Sequence, residues 1–522
     1  MSGGSKVSRR GAIAGGVLVL WLAGLGMLAR RELFRGDVAS LAEAGGRVVP
    51  GAVFYVVEQG GTQVGFASST IDTTTTGIRV DDYFIADLPV GGKLHRATAS
   101  SRVGLSRALA MREFSVALES EAGPIRVSGR ADGDSVLAVA IGSGDEPPAD
   151  TQRVATGGPV LLPTLVPLAA ALQATPKVGR RYTIPVFDPT AMGARSLSLV
   201  VRAESLFVVS DSAALDPATK RWRTARTDSV RAWEIVSESE NGFSAWVDAS
   251  GRVVELTQPG NFVLRRMAYE VAYENWRLDG RARPRGVTAD EDILESTAIA
   301  ASAPLGARPL SRLSVRLGNV RLAGFDLNGT RQELRGDTVT IVREPPARLV
   351  AAYTLPASDA FRARYANELR AEPLLQSNAP EVVALARQLA AGSRDPRVVA
   401  ERLNRWLHDS LDKEVVIDVP NAVRVLEWRK GDCNEHTQLF LALARAAGIP
   451  ARGAAGLAYL RGKFYYHAWP EVYLGDWVAV DPTFGQFPAD AAHIRFVTGG
   501  LARQAELLRL IGNLKVDVVA KG

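Results

Sequence analysis

Residues 51–58 (GAVFYVVE) are a run of β-branched and aromatic positions. Gly60-Gly61 interrupts it, and 63–69 returns with the same character. That is the pattern of a strand, a tight turn and a partner strand. The pattern repeats near 233–256: AWEIVSE, Asn241-Gly242, FSAWVD, Ser250-Gly251, then RVVELT. Residues 45–275 therefore read as a large antiparallel β-rich meander domain. An apolar stretch at 159–173 (PVLLPTLVPLAAALQ) breaks it and predicts a loop and helix packed on the sheet. A curved sheet of this kind is a spacer, a platform or a cradle for an apolar ligand.

Residues 276–345 read as a linker and a small β module, the latter alternatively an extension of the next domain. The first part is charged and Pro/Gly-bearing; 310–345 then alternates again, up to Pro345-Pro346. From about 375 the period changes from two to 3.6. Residues 380–391 are amphipathic. Asp395-Pro396 then opens a helix to about Ser410, with Val399, Leu403, Trp406 and Leu407 at core spacing. The expected class is α+β. The expected divisions are an anchor at 1–36, the β-rich domain, the module, a domain at 346–500 and a C-terminal tail at 501–522.

The N-terminus adds a membrane. Residues 11–29 carry no charge and as a helix would span roughly 28 Å, close to a bilayer core. Lys6, Arg9 and Arg10 precede this run; Arg30, Arg31 and Arg35 follow it. The counts are equal, so charge alone gives no orientation. No small-x-small cleavage site follows, which predicts a single uncleaved anchor. Export is the usual use of such an anchor, so the body is expected outside the cytoplasm.

Composition narrows the rest. The chain has 522 residues, 47% of them apolar, and a formal net charge of +6. Its basic residues are scattered, without the dense runs and interleaved aromatics of a nucleic-acid surface. One cysteine excludes an intramolecular disulfide and a Cys-rich zinc module. Nothing indicates a cofactor or a resident metal, no acidic loop suggests calcium, and oligomeric state is not legible.

A lone cysteine is more often a small buried hydrophobe than a nucleophile. The surroundings of Cys433 argue otherwise. They read Arg429-Lys430-Gly431-Asp432-Cys433-Asn434-Glu435-His436. Gly431 permits a tight turn, and Asp432 with Glu435 forms a capping box. Leu439, Phe440, Leu443 and Ala447 then continue a helix that Gly448 and Pro450 end. Cys433 thus opens a helix. There, free N–H groups and partial positive charge favour thiolate and can hold an oxyanion.

A nucleophilic thiol needs a base. His95 lies in the β-rich region, His408 ends the preceding helix, and His436 points along the cysteine's own helix. His467 lies in a strong strand, KFYYHAWPEVY, followed by a turn at Gly475-Asp476 and a second strand, 477–481, ended by Pro482. Asp481 could fix the imidazole's tautomer and support its charged form. Side chains alternate faces, so His467 and Asp481 share one only if an odd number of loop residues joins the strands, or a bulge intervenes. The reading thus predicts a three- or five-residue loop, or a bulge, for which Pro470 is a candidate cause. Cys433, His436, His467 and Asp481 also have ligand types suited to zinc, but the thiol reading needs no such cluster.

Gly431-Asp432-Cys433, the run from Leu443 to Arg452 (LARAAGIPAR), His467 to Tyr473 (HAWPEVY) and Trp477 to Thr483 (WVAVDPT) resemble the transglutaminase-like core of many bacterial proteins. The resemblance covers about 375–498. It implies a papain-like fold in which a helix bearing Cys433 packs on an antiparallel sheet bearing His467 and Asp481, the three matching the family's triad. It also implies an oxyanion donor upstream of the cysteine, for which Trp428 and Gln376 are candidates. Trp469 and Tyr466, with Trp477 and Tyr465 beside them, are candidate cleft residues. The implied activity is cysteine-dependent acyl transfer on a peptide or protein substrate: a peptidase or amidase by preference, a transglutaminase otherwise. The alternative is a non-catalytic, membrane-tethered scaffold of the same fold.

Overall fold

The computed structural model describes residues 48–522, apart from 75–76, 121–122, 144–150, 174, 190–191, 239–242, 259–261, 283–291, 307 and 417–419. The expected anchor at 11–29 lies outside the described residues. Among those described, no helix is long and apolar enough to cross a membrane.

Fourteen antiparallel strands form one sheet among the described residues. Two meanders build it. The first runs strand by strand from Gly51–Gln59 to Thr151–Ala155, the second from Arg181–Asp188 to Phe262–Met267. They join where Gly51–Gln59 pairs with Phe262–Met267. Just beyond one edge strand, Leu161 bridges Val186 on the other edge strand. Its N–H donates to Pro185 O, and Phe187 N–H donates to Leu161 O. The chain itself thus laces the two edges together.

The apolar interruption is a helix, Val166–Gln173, buried almost all round. A helix without a polar face belongs inside a core. Leu165, Leu168 and Leu172 pack with Ile71, Val103 and Phe114 of the first meander. Val166, Ala169 and Ala170 pack with Ile184, Leu199 and Ile235 of the second.

The second half is α+β. Helices Pro380–Ala390, Pro396–Ser410, Ala422–Trp428 and Cys433–Ala446 share one core through Val382, Val399, Leu403, Val425, Leu439 and Phe440. They pack against a sheet of Ile299–Ala300, Lys463–Tyr473, Ala451–Leu460 and His493–Thr498, with Trp477–Ala479 paired to Lys463–Tyr473.

The strands at 310–345 extend the C-terminal half, and the segment expected as a tail joins them. Arg312–Gly318 buries Leu313, Val315 and Leu317, with Ser314 between them also buried. It pairs with Thr338–Val342 on one side and Lys515–Lys521 on the other. The segment read as a tail is therefore a sheet strand. Its Val516 enters one core with Leu457, Phe464 and Ile494 of the sheet just described. Strand pairing across two hundred residues leaves no local trace in the sequence.

Candidate active site

Cys433 is the first residue of its helix, as its capping residues predict. Asp432 Oδ1 accepts from Asn434 N–H at 2.9 Å, and Glu435 Oε2 accepts from Asp432 N–H at 2.9 Å. Gly431 is required for this. A Cβ there would lie 2.3 Å from Glu435 Cβ, and its φ of +155° is one that side-chain-bearing residues avoid. The Gly-Asp-Cys sequence is thus a packing solution for the buried Glu435 as much as a turn.

The joint between Lys463–Tyr473 and Trp477–Ala479 decides where Asp481 points. Tyr473 pairs with Trp477, Val472 with Val478 and Glu471 with Ala479. Three residues, Leu474, Gly475 and Asp476, form the loop. The pairing of Lys463–Tyr473 with Ala451–Leu460 runs through Pro470 without a register shift. The odd loop therefore sets the parity, and Pro470 causes no bulge. Continued in register, Asp481 falls opposite Trp469, on the same face as His467 and diagonal to it.

His467 Nε2 lies 2.7 Å from Asp481 Oδ2. A carboxylate only accepts, so this nitrogen carries the hydrogen and Nδ1 of the neutral ring keeps its lone pair. The Phe484 ring stacks on the imidazole at 4.7 Å and 11°. Phe484 also donates its backbone N–H to Asp481 Oδ1 at 2.9 Å. The Asp-Pro turn after the strand thus supplies both a ring and a hydrogen bond to the same pair.

A residue that the sequence reading passed over completes this cluster. His493 Nε2 lies 2.9 Å from Asp481 Oδ2, and its Nδ1 lies 3.0 Å from Asp490 Oδ1. With a carboxylate at each nitrogen, both carry hydrogens and the ring is cationic. Burial opposes that charge, but Asp481 and Asp490 outweigh it and push His493 up to about 9. For Asp481, burial alone would raise the carboxyl. The two imidazoles reverse this and hold it well below the carboxylate range. His467, Asp481 and His493 also offer ligand atoms within 4.8 Å of one another. Their hydrogen bonds already satisfy these atoms.

The helix start meets the histidine strand one residue from the imidazole. The Ala468 backbone N–H reaches the Cys433 sulfur, and Cys433 packs on the core that contains Ala468. The residue is part-exposed. Burial pushes the thiol well up. Asp432 adds to this and the Ala468 N–H opposes it, while Glu435 and Asp481 act with burial. The expected thiolate preference of a helix start is thus outweighed here, and the resting group is a neutral thiol. His436 is fully buried, with Nδ1 2.7 Å from Asp432 O. Burial lowers its pKa, so it stands as a neutral packing residue beside the cap.

The other candidates distribute unevenly. Trp469 is 1% exposed and stacks beside His467 at 6.0 Å, so it backs the histidines instead of lining an open cleft. A large ring between two buried imidazoles and the sheet has no route to solvent. Tyr466 is half-buried against the second core, its hydroxyl enclosed without a partner among the described residues. Tyr465 donates its hydroxyl to Glu295, and Trp477 lies under the Arg452 guanidinium. Trp428 is half-buried beneath Lys430 Nζ, 4.1 Å from its ring. Gln376 is half-buried with Oε1 enclosed and unpartnered. Neither Trp428 nor Gln376 is hydrogen bonded to Cys433 among the described residues.

Residues 383–482 match the Transglutaminase-like superfamily. No curated protein sequence matches the chain. Among solved structures, a provisionally assigned cysteine protease from Cytophaga hutchinsonii aligns at 15% identity and TM-score 0.28, over 40% of this chain and 86% of that one. A β-barrel-like protein of a domain of unknown function from Brucella abortus aligns at 14% identity and TM-score 0.30, over 42% and 95%. A provisionally assigned protease from Parabacteroides distasonis aligns at 11% identity and TM-score 0.18, over 74% and 63%. The family match ends before Asp490 and His493 but includes Cys433, His467 and Asp481. The chain therefore carries, at residues 383–482, a domain of the transglutaminase-like superfamily.

Proposed function

We propose that this protein is a cysteine-dependent acyl-transfer enzyme, tethered to a membrane by residues 11–29, that acts on amide bonds of peptides or proteins outside the cytoplasm. One observation carries the reading. The buried His467–Asp481 pair leaves Nδ1 of His467 with a lone pair, one residue along the strand from the backbone N–H that reaches the Cys433 sulfur.

The steps follow from the groups. His467 Nδ1 takes the Cys433 proton as the sulfur attacks the substrate carbonyl. The imidazolium is supported by Asp481. N–H groups at the helix start stabilise the oxyanion. Collapse breaks the C–N bond, and His467 returns its proton to the departing amine. The acyl group is left as a thioester on Cys433. Water, deprotonated by His467, then releases the acid; an amine in its place completes a transfer. A neutral resting thiol suits a mechanism in which deprotonation accompanies attack. Hydrolysis by a peptidase or amidase is the favoured outcome.

The test is a search by mass spectrometry for an acyl group trapped on Cys433 after exposure to envelope peptides, with Cys433→Ser and His467→Ala variants. An adduct in wild type that is absent from both variants supports turnover. Cys433 labelling by a thiol-reactive probe at an ordinary thiol rate in wild type and His467→Ala alike, with no acyl adduct, favours a non-catalytic scaffold. A topology reporter fused after residue 36 tests the tether.

A further inference from the structure

The fourteen-stranded sheet and the 162–168 segment line a half-open cavity of about 480 Å³, within the usual range for small-molecule sites. Val53, Ala67, Val80, Phe84, Leu165 and Leu264 line it. Ser68, Ser100, Thr164 and Gln258 also face it, but most of its wall is apolar.

Two charged residues stand in this wall, Asp82 and Arg252. Arg252 lines this cavity and is 8% exposed. Its Nη2 donates to Val49 O and Gly51 O, at 2.9 and 2.8 Å. Its Nη1 is enclosed without a partner. No carboxylate pairs with this guanidinium among the described residues. Asp248 takes the Arg252 backbone N–H on Oδ1 and the Arg266 guanidinium on Oδ2. A buried cation without an anion is costly. The acid in the wall, Asp82, accepts from Ser69 and Ser101 at 2.7 and 3.2 Å. Burial raises its pKa, against the hydrogen bonds from Ser69 and Ser101. Arg252 is the cationic group of this wall.

We propose that this cavity is a binding site for a single-chain anionic amphiphile, the acyl chain lying against the apolar wall and the anionic head received by Arg252. The volume admits one chain. A fatty acid and a lysophospholipid share this chemistry and differ in the head.

The test uses the full chain in detergent and a diazirine-bearing palmitic acid, with its methyl ester as the uncharged control. Cross-linked peptides are mapped, and lysophosphatidic acid serves as competitor. Saturable adducts on 51–116 and 162–168 are expected, with the acid favoured over the ester by at least about tenfold. Arg252→Met should erase that preference, and Ala67→Phe, which fills the cavity, should erase the adducts. Competition by lysophosphatidic acid at lower concentration than palmitic acid assigns the head as a phosphate, and the reverse as a carboxylate. Equal labelling by acid and ester in wild type, a comparison that needs no variant, would overturn the proposal. So would adducts confined to other segments.

Discussion

His467 and His493 address the same oxygen atom, Asp481 Oδ2, at 2.7 and 2.9 Å. Asp481 is fully buried and both rings nearly so. The carboxylate that orients the candidate base is itself held by a second, cationic ring whose far nitrogen is fixed by Asp490.

That arrangement gives stability a pH dependence. His493 is raised to about 9 in the folded chain, against about 6.5 in an unfolded one. Its contribution is complete below about 6.5 and is lost as pH rises through 9. The difference is of the order of 3 kcal/mol at most. Urea titrations at pH 6 and pH 10 should show this loss in wild type and a smaller one in His493→Gln. An equal loss in both proteins would remove the charge from His493.

Asp481→Asn keeps the volume but removes the charge and offers an N–H towards one of two rings that both need an acceptor. The His467 tautomer is no longer imposed. Any peptide-hydrolysing activity should fall by about 10²- to 10⁴-fold. Loss of one member of a buried charged network should also cost about 3 kcal/mol. Steady-state kinetics and thermal melts read the two effects separately.

Alkylation by iodoacetamide follows the thiolate, so its rate against pH reports the Cys433 ionisation. Its midpoint should lie above that of an ordinary thiol, because burial and Asp432 both disfavour the anion. Asp432→Asn keeps a good helix cap and removes the nearest charge. It should lower the midpoint and quicken labelling at pH 7 several-fold. Glu435→Gln should change it less, since burial and Asp432 already move Glu435 towards its neutral form.

Gly431→Ala forces a methyl group into the space of Glu435. Overpacking of this kind costs about 1–3 kcal/mol. The break falls at the capping box, so Cys433 alkylation should change together with the urea midpoint. A variant with wild-type stability and wild-type labelling would show that Glu435 can move aside freely.

What the sequence revealed follows from the range of the interactions. The capping residues of the cysteine helix, the apolar helix at 166–173 and the odd loop before Trp477 were legible, because each is fixed by residues within a few positions. His493 was not. It sits in AAHIRF, which reads as a plain apolar strand. It reaches Asp481 only because the intervening strand, Ala451–Leu460, pairs with both Lys463–Tyr473 and His493–Thr498. The thiol's environment escaped for a similar reason. A helix start announces partial positive charge, but the packing of Cys433 against a core of distant strands is a tertiary fact. Trp469, a candidate cleft residue, is buried, because an aromatic residue type on a strand does not show whether its face is open.

The three-residue joint between Tyr473 and Trp477 carries a constraint on how this chain can drift. Gain or loss of one residue there would leave both strands able to pair, with composition and hydropathy almost unchanged. Every later position would nevertheless trade faces, sending Asp481 into the apolar layer and Val480 towards the imidazoles. Relatives that keep the aspartate at work should therefore differ in this joint by two residues or by none, unless a compensating bulge restores the phase.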